Sequence, residues 1–346
     1  MTIPVHYHSK FGGLWTDRLD AEAELARRVD DGRIEPSERH LYQHFIENGY
    51  VILEGAVPHQ TIDALLNDLE NAWTNGGGRF LLDIYNEIRP LAPELRESRY
   101  KMLDLYVASA SARATSFGAP IRKFLQNIFD EPPKAFQSLS FERGTEQAIH
   151  QDTAYVVVEQ EPMKLAASWV ALEDIQEGTG ELEYYEKSHR IPDYSFGNPR
   201  KHWEPAEDGP EVQLQFLRYL HDEALKRGLR LAKFRPKKGD ALIWSADLAH
   251  GGSAITNPGP TRRSLVTHYC PRSVSPHYMT LMSPERRWLE PFEGSYYCSM
   301  HYPSPHGTRG DVMNASRPSP ARSLRKLRAA LRKRILGPLK RRLRGL

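Results

Sequence analysis

Apolar positions along the chain follow two periods, helical in the first third and alternating after that. A helical repeat in "AEAELARRVDDG" predicts a helix near residue 25. A second helix is expected over 37–48, then a short strand at Tyr50–Leu53. The next helix is entered at Pro58 and halted by the glycines at 76–78. "GAPIRKFLQNIFD" reads as another helix, with Pro120 in its first turn. From "KAFQSLSFERG" onward the pattern turns to strands: "TAYVVV", "LAASWVALED", "ELEYY", "RLAKFRP", "DALIWS" and "RRSLVTHYC", parted by Gly, Pro, Asn and Asp. One helix interrupts them, with apolar spacing at Val212, Leu214, Phe216, Leu217, Leu220 and Leu225. About eight short strands after a helical section predict a mainly β fold, a small barrel or two-sheet roll buttressed by helices. The expected division is an N-terminal extension (1–35), one domain (36–302), a Pro/Ser/Gly-rich linker (303–321) and a basic tail (322–346).

The 346 residues suffice for a sizeable core, with 40% hydrophobic and 26% charged. The opening "MTIPVHYHSKFGGLWTDR" has no apolar segment, so no signal peptide is expected. No run of about 18 apolar residues occurs. The two cysteines, Cys270 and Cys298, fit a reducing, cytoplasmic setting and exclude a disulfide scaffold or a thiolate zinc site. The net charge of +3 is unevenly spread. Of the 47 Lys and Arg, twelve follow Asp311 with no acid among them, leaving 35 basic against 44 acidic residues upstream. In the tail, Leu324, Leu327, Leu331 and Ile335 recur at helical spacing among basic residues. This predicts an amphipathic helix on an anionic membrane surface, broken at Gly337–Pro338. Nucleic acid is the rival partner, disfavoured because the tail has no aromatic ring to stack on bases. A solvated, disordered tail is the third alternative.

"IHQDTAYVV" (149–157) carries the first sign of chemistry. Residues two apart share one face of an extended chain, so His150 and Asp152 can point at one ion. Two histidines and one carboxylate on one face of a metal, the other positions open, make the mononuclear non-haem iron arrangement. "DALIWSADLAHGG" offers His250 as the third ligand, at a strand end. "TRRSLVTHY" follows, and places Arg262 and Ser264 on one strand face. An Arg-x-Ser pair suits a carboxylate, since the guanidinium forks onto both oxygens and the hydroxyl donates alongside. The bland alternatives are a chance His-x-Asp triplet and a surface arginine. His6, His8, His40, His44, His202 and His221 read as surface or cap residues, and His301 and His306 flank the linker.

Taken together, "HQD", "LAHGG" and "RRS" resemble the phytanoyl-CoA dioxygenase family of Fe(II)/2-oxoglutarate oxygenases. "GYVILEGAVPHQTIDALLNDLE", "GTEQAIHQD", "SWVALEDIQEGTGELEYYEKSHR" and "KKGDALIWSADLAHGGS" extend the likeness over about residues 38–270. The resemblance implies a double-stranded β-helix (a jelly roll, cupin-like) with His150, Asp152 and His250 on Fe(II). Arg262, with Ser264 beside it, would take the C5 carboxylate of 2-oxoglutarate. Arg263 is the register alternative and should face the other way. "HGGSAITN" has extra residues where the family reads His-Gly-Ser, so Ser253 and Asn257 match less closely. His189, in the Ser188–His189 turn, is expected to be structural.

The implied reaction consumes O2 and 2-oxoglutarate, releases succinate and CO2, and hydroxylates a C–H bond. Asp152 argues against halogenation, since related halogenases lack that carboxylate; desaturation and ring chemistry stay open. Substrate contacts are expected from Tyr155, Trp169 and the insertion 190–211 with Tyr194, Phe196 and Trp203, which reads as a lid or as surface decoration. Nothing marks a coenzyme-A pocket. The substrate class is a small or lipid-linked molecule. The competing readings are a cupin-type metal-binding protein, which would not need Arg262, and an inactive oxygenase scaffold recruited to a membrane.

Overall fold

Tyr50–Leu53 pairs antiparallel along its whole length with Ala241–Ser245, two segments almost 190 residues apart in sequence. The computed structural model describes residues 6–76, 78–197 and 199–306. The basic tail and most of the linker lie outside them, as does the expectation placed on the tail.

The main sheet runs in the order Tyr50–Leu53, Ala241–Ser245, Ala166–Ala171, Ser264–Pro271, Pro133–Phe141, Lys101–Leu103, Leu81–Ile84, Glu87–Pro90. Its central strands, Ala166–Ala171 and Ser264–Pro271, are buried on both faces, which their nearly continuous apolar sequence allows. Opposite lies a smaller sheet, His250–Gly252, Leu182–Tyr185 and Leu231–Phe234. Trp169, Trp244 and Val266 of the large sheet pack toward Leu182, Tyr184 and Phe234 of the small one. This is the mainly antiparallel, two-sheet jelly roll with flanking helices. The helices cover the outer face of the large sheet. His59–Asn75 buries Ile62, Leu65, Leu69 and Trp73, and Ala119–Phe129 buries Ile121, Phe124, Leu125 and Ile128 in the same core. Ala21–Asp30 joins that core through Leu25, and Trp15 lies beside Tyr42, so the described N-terminal residues pack onto the domain.

Several local expectations are corrected. "TAYVVV" is not a strand. The carbonyl of Asp152 accepts the amides of Tyr155 and Val156 at 2.8 and 2.7 Å, closing a 3-10 turn over Asp152–Ala154. This local closure outcompetes the β-branched run. The helix Gly209–Lys226 buries Phe216, Leu220 and Ala224, whereas Leu214 and Leu225 are 53% and 63% exposed. Strands at 81–103 were not expected. Their hairpin turns on Tyr85 and Asn86, both at positive φ, and the outer strand Glu87–Pro90 is largely exposed and ends in a proline tolerated at an edge.

Candidate metal centre

The site is assembled where two chain segments a hundred residues apart lie side by side. His150 N–H donates to the His250 carbonyl and His250 N–H to that of His150, each at 2.9 Å. The approach is close enough to need glycine next door. A Cβ on Gly251 would stand 2.6 Å from the Gln147 carbonyl oxygen and 3.0 Å from the Ile149 nitrogen. A glycine after His250 is thus required by the close approach of the two backbones.

Within this junction, Nε2 of His150 lies 3.8 Å from Oδ1 of Asp152, and Nε2 of His250 lies 3.7 Å from the same oxygen. One donor atom from each residue falls within 4.8 Å of the others, and all three residues are buried. The ring tautomers are fixed from behind. Nδ1 of His150 faces the Ala148 carbonyl at 2.9 Å, and Nδ1 of His250 faces that of Leu248 at 2.9 Å. Each Nδ1 therefore carries the proton, and each Nε2 presents its lone pair inward, as a metal ligand must. The other carboxylate oxygen of Asp152 accepts the Trp244 indole N–H at 2.7 Å.

Burial, reinforced by the neighbouring His250, lowers the pKa of His150 to about 4, so the ring is neutral and able to coordinate. Burial opposes ionisation of Asp152, but the imidazoles of His268, His250 and His150 outweigh it and hold the carboxyl well below the usual range. Two neutral imidazoles and one carboxylate with converging lone pairs fit a divalent iron.

These residues line a cavity of about 200 Å³ that also contains Arg262. Arg262 is 4% exposed, with Nη1 donating to Ser264 Oγ at 3.1 Å and Nε without a partner. Its guanidinium lies 5.5 Å from the Trp169 ring and 5.8 Å from that of Phe141. Burial lowers its pKa to about 10, with Glu181 and Glu173 opposing the shift, and it remains a cation at neutral pH. No carboxylate among the described residues comes within ion-pair distance. A buried, unpaired guanidinium facing a cavity fits an anionic ligand such as a carboxylate. Arg263 faces the other way, its side chain 3.2 Å from Glu142.

Trp169 and Tyr155 line the same cavity, Tyr155 taking a hydrogen bond from Gln213 at 3.1 Å. The insertion is packed rather than free, with Ile191 and Phe196 buried and Trp203 set 6.2 Å from the Tyr155 ring. Ser253 donates to Glu181 at 2.8 Å, and neither it nor Asn257 lines the cavity. His189 is buried behind the helix Arg39–Asn48, Nε2 3.1 Å from the Ile46 carbonyl, away from the centre.

His268 was not singled out in the sequence. Its Nε2 is 3.4 Å from Asp152 Oδ2, but neither ring nitrogen makes a hydrogen bond of good geometry. The signal was available. Steps of two from Arg262 along the strand face pass through Ser264 and Val266 to His268, and all four residues line the cavity or touch one that does.

The sequence pattern of the phytanoyl-CoA dioxygenase (PhyH) family matches residues 45–264, and the chain belongs to that family. It is accordingly a 2-oxoglutarate-dependent non-haem iron enzyme. No curated protein sequence is similar enough to count as a match. Among solved structures, the fold is shared with the epimerase SnoN in complex with Fe3+, alpha ketoglutarate and nogalamycin RO. That likeness has 15% identity and a TM-score of 0.53, covering 76% of this chain and 99% of that one. The alpha ketoglutarate dependent carbocyclase SnoK from nogalamycin biosynthesis is similar at 14% identity and a TM-score of 0.50, covering 74% of this chain and 94% of that one.

Proposed function

We propose that the protein is an Fe(II)/2-oxoglutarate-dependent hydroxylase acting on a small or lipid-linked molecule. In this reading His150, Asp152 and His250 hold the iron, and Arg262 with Ser264 binds the distal carboxylate of 2-oxoglutarate. The observation that carries it is the pairing of a buried His–Asp–His cluster with a buried, carboxylate-free Arg262 in one cavity. A metal-binding protein without oxygenase activity would have no need of that costly cation.

When bound, iron and 2-oxoglutarate supply the oxidising power that turns a C–H bond into an alcohol, with succinate and CO2 released. The chain's own contribution is placement. The backbone carbonyls of Ala148 and Leu248 hold the imidazole tautomers, and Trp244 keeps one oxygen of Asp152 turned toward the histidines. Ser264 accepts from Arg262 and can donate its own hydroxyl proton to the incoming carboxylate. Trp169, Phe141 and Leu182 wall the cavity and exclude water from the reacting end.

Epimerisation and ring closure are the activities named for SnoN and SnoK, so product analysis must distinguish them from hydroxylation. The deciding experiment is succinate release from 2-oxoglutarate with Fe(II), followed by mass spectrometry of candidate substrates. A product heavier by one oxygen supports hydroxylation. A product that carries no additional oxygen atom, or no turnover of any substrate tried together with no uncoupled succinate, would remove it.

For location, no helix among the described residues is long and apolar enough to cross a membrane. The tail's basic residues and leucines support peripheral contact with anionic lipid, which would bring a lipid-linked substrate to the enzyme.

A further inference from the structure

The alternation that sends His150 and Asp152 into the cavity sends Gln151 and Thr153 the opposite way, and both meet one residue. Gln151 Nε2 donates to the Asp247 carbonyl at 2.8 Å, and Thr153 Oγ1 donates to the Asp247 carboxylate at 2.5 Å. Asp247 precedes His250 by three positions. One aspartate thus grips both residues that flank Asp152 while its own segment delivers His250. Asp247 is 2% exposed, and its second oxygen accepts from Lys201 Nζ at 2.6 Å. Lys201, 4% exposed, comes from the insertion and also donates to Asp193 at 2.6 Å. Burial works against its charge, but Asp247 and Asp193 together hold its pKa above the ordinary lysine value. Asp193 in turn accepts from Ser9 Oγ and the Lys10 amide, each at 2.9 Å.

We propose that Asp247 is a positioning residue, clamping the two ligand-bearing segments through Thr153 and Gln151, and that the insertion supplies Lys201 as its buried counter-ion. This rests on reading His150, Asp152 and His250 as the iron ligands. The insertion then acts as a strut behind the centre and not as a lid over it. Without the Thr153 contact, the turn that begins at Asp152 loses its tie to the Asp247 carboxylate and keeps only the Gln151 contact and the Trp244 hydrogen bond beside its backbone bonds, so the carboxylate is held less firmly in the position both imidazoles share. Partners behind a ligand typically change metal affinity ten- to a hundredfold.

The test uses the full-length protein and Co(II) as the probe, titrated anaerobically with the ligand-field spectrum as readout. Thr153→Val is close to isosteric and deletes only the hydroxyl. It should weaken Co(II) binding about tenfold or more and alter the spectrum, while the metal-free protein still folds and the KM for 2-oxoglutarate stays near wild type. Thr153→Ser should restore the affinity, and Asp247→Asn should repeat the loss. Wild-type affinity in Thr153→Val and Asp247→Asn, with binding abolished in His150→Ala, would overturn the clamp and leave the ligand reading standing. Unchanged affinity in His150→Ala would overturn both. If Asp247→Asn unfolds because Lys201 loses half its counter-charge, Thr153→Val still decides.

Discussion

Trp244 donates its indole N–H to Oδ2 of Asp152 at 2.7 Å, and its ring lies 4.7 Å from that of His250. One side chain therefore touches two of the three residues that would hold iron. Trp244→Phe keeps an aromatic ring against His250 but deletes the donor. The buried carboxylate would then lack a strong hydrogen bond, a loss of about 1–3 kcal/mol. Metal affinity should fall by roughly ten- to a hundredfold. Anaerobic titration checks this, and an unchanged affinity would show that the indole merely fills space.

Arg262 and Arg263 separate cosubstrate binding from surface charge. Losing a charge-assisted, two-pronged contact costs about 2–4 kcal/mol, so Arg262→Ala should raise the KM for 2-oxoglutarate roughly thirtyfold to several hundredfold. Arg262→Met should also leave the ligand-free protein as stable or more so, because it removes an unpaired buried cation. Arg263→Ala, on the half-exposed pair with Glu142, should leave that KM unchanged. The reverse pattern would shift the register by one.

His189 makes a pH prediction. Burial, with Arg190 adding repulsion, lowers its pKa to about 3, against about 6.5 in the unfolded chain. Between these values the unfolded state binds the proton and the folded state does not. Stability therefore falls as pH drops from about 6.5 toward 3, on the order of 5 kcal/mol in all. There is little room for adjustment, since a Cβ on Gly49 would stand 2.5 Å from His189 Nδ1. His189→Gln can still donate to the Ile46 carbonyl and should flatten this slope. Denaturant melts at pH 7, 5 and 4 give the comparison, and equal slopes would refute the assignment.

The tail prediction rests on sequence. Each basic residue near an anionic surface contributes about 1 kcal/mol, so the twelve after Asp311 suffice for reversible attachment. Full-length protein should co-sediment with anionic vesicles at low salt, and a chain ended at Ser319 should not. Equal behaviour of the two would eliminate membrane recruitment.

The parts of the site legible in the sequence were those governed by the two-residue alternation. His150 with Asp152 and Arg262 with Ser264 could each be placed on a shared face, and His250 stood at the end of an apolar run before two glycines. His268 obeys the same rule and lies in the same "TRRSLVTHY" stretch, but it was overlooked because the three-ligand set was already complete without it. Asp247 and Lys201 had no such signal. A lysine in a polar insertion reads as solvated, and only the chain crossing that sets it between Asp193 and Asp247 makes it buried. The missed hairpin at 81–90 fails for a different reason. Its turn uses Tyr85 and Asn86 where the usual signal is Asn-Gly or Asp-Gly. "TAYVVV" shows the converse, a strong strand composition overruled by two short hydrogen bonds to one carbonyl.

The mutual backbone bonds between His150 and His250 also bear on the order in which the molecule is made. The complete set of donors exists only when these two segments, a hundred residues apart, lie side by side. Pairings of this range form late and slowly. The three-donor centre is therefore among the later parts of the molecule to exist, and tight capture of metal reports that the distant segments have met.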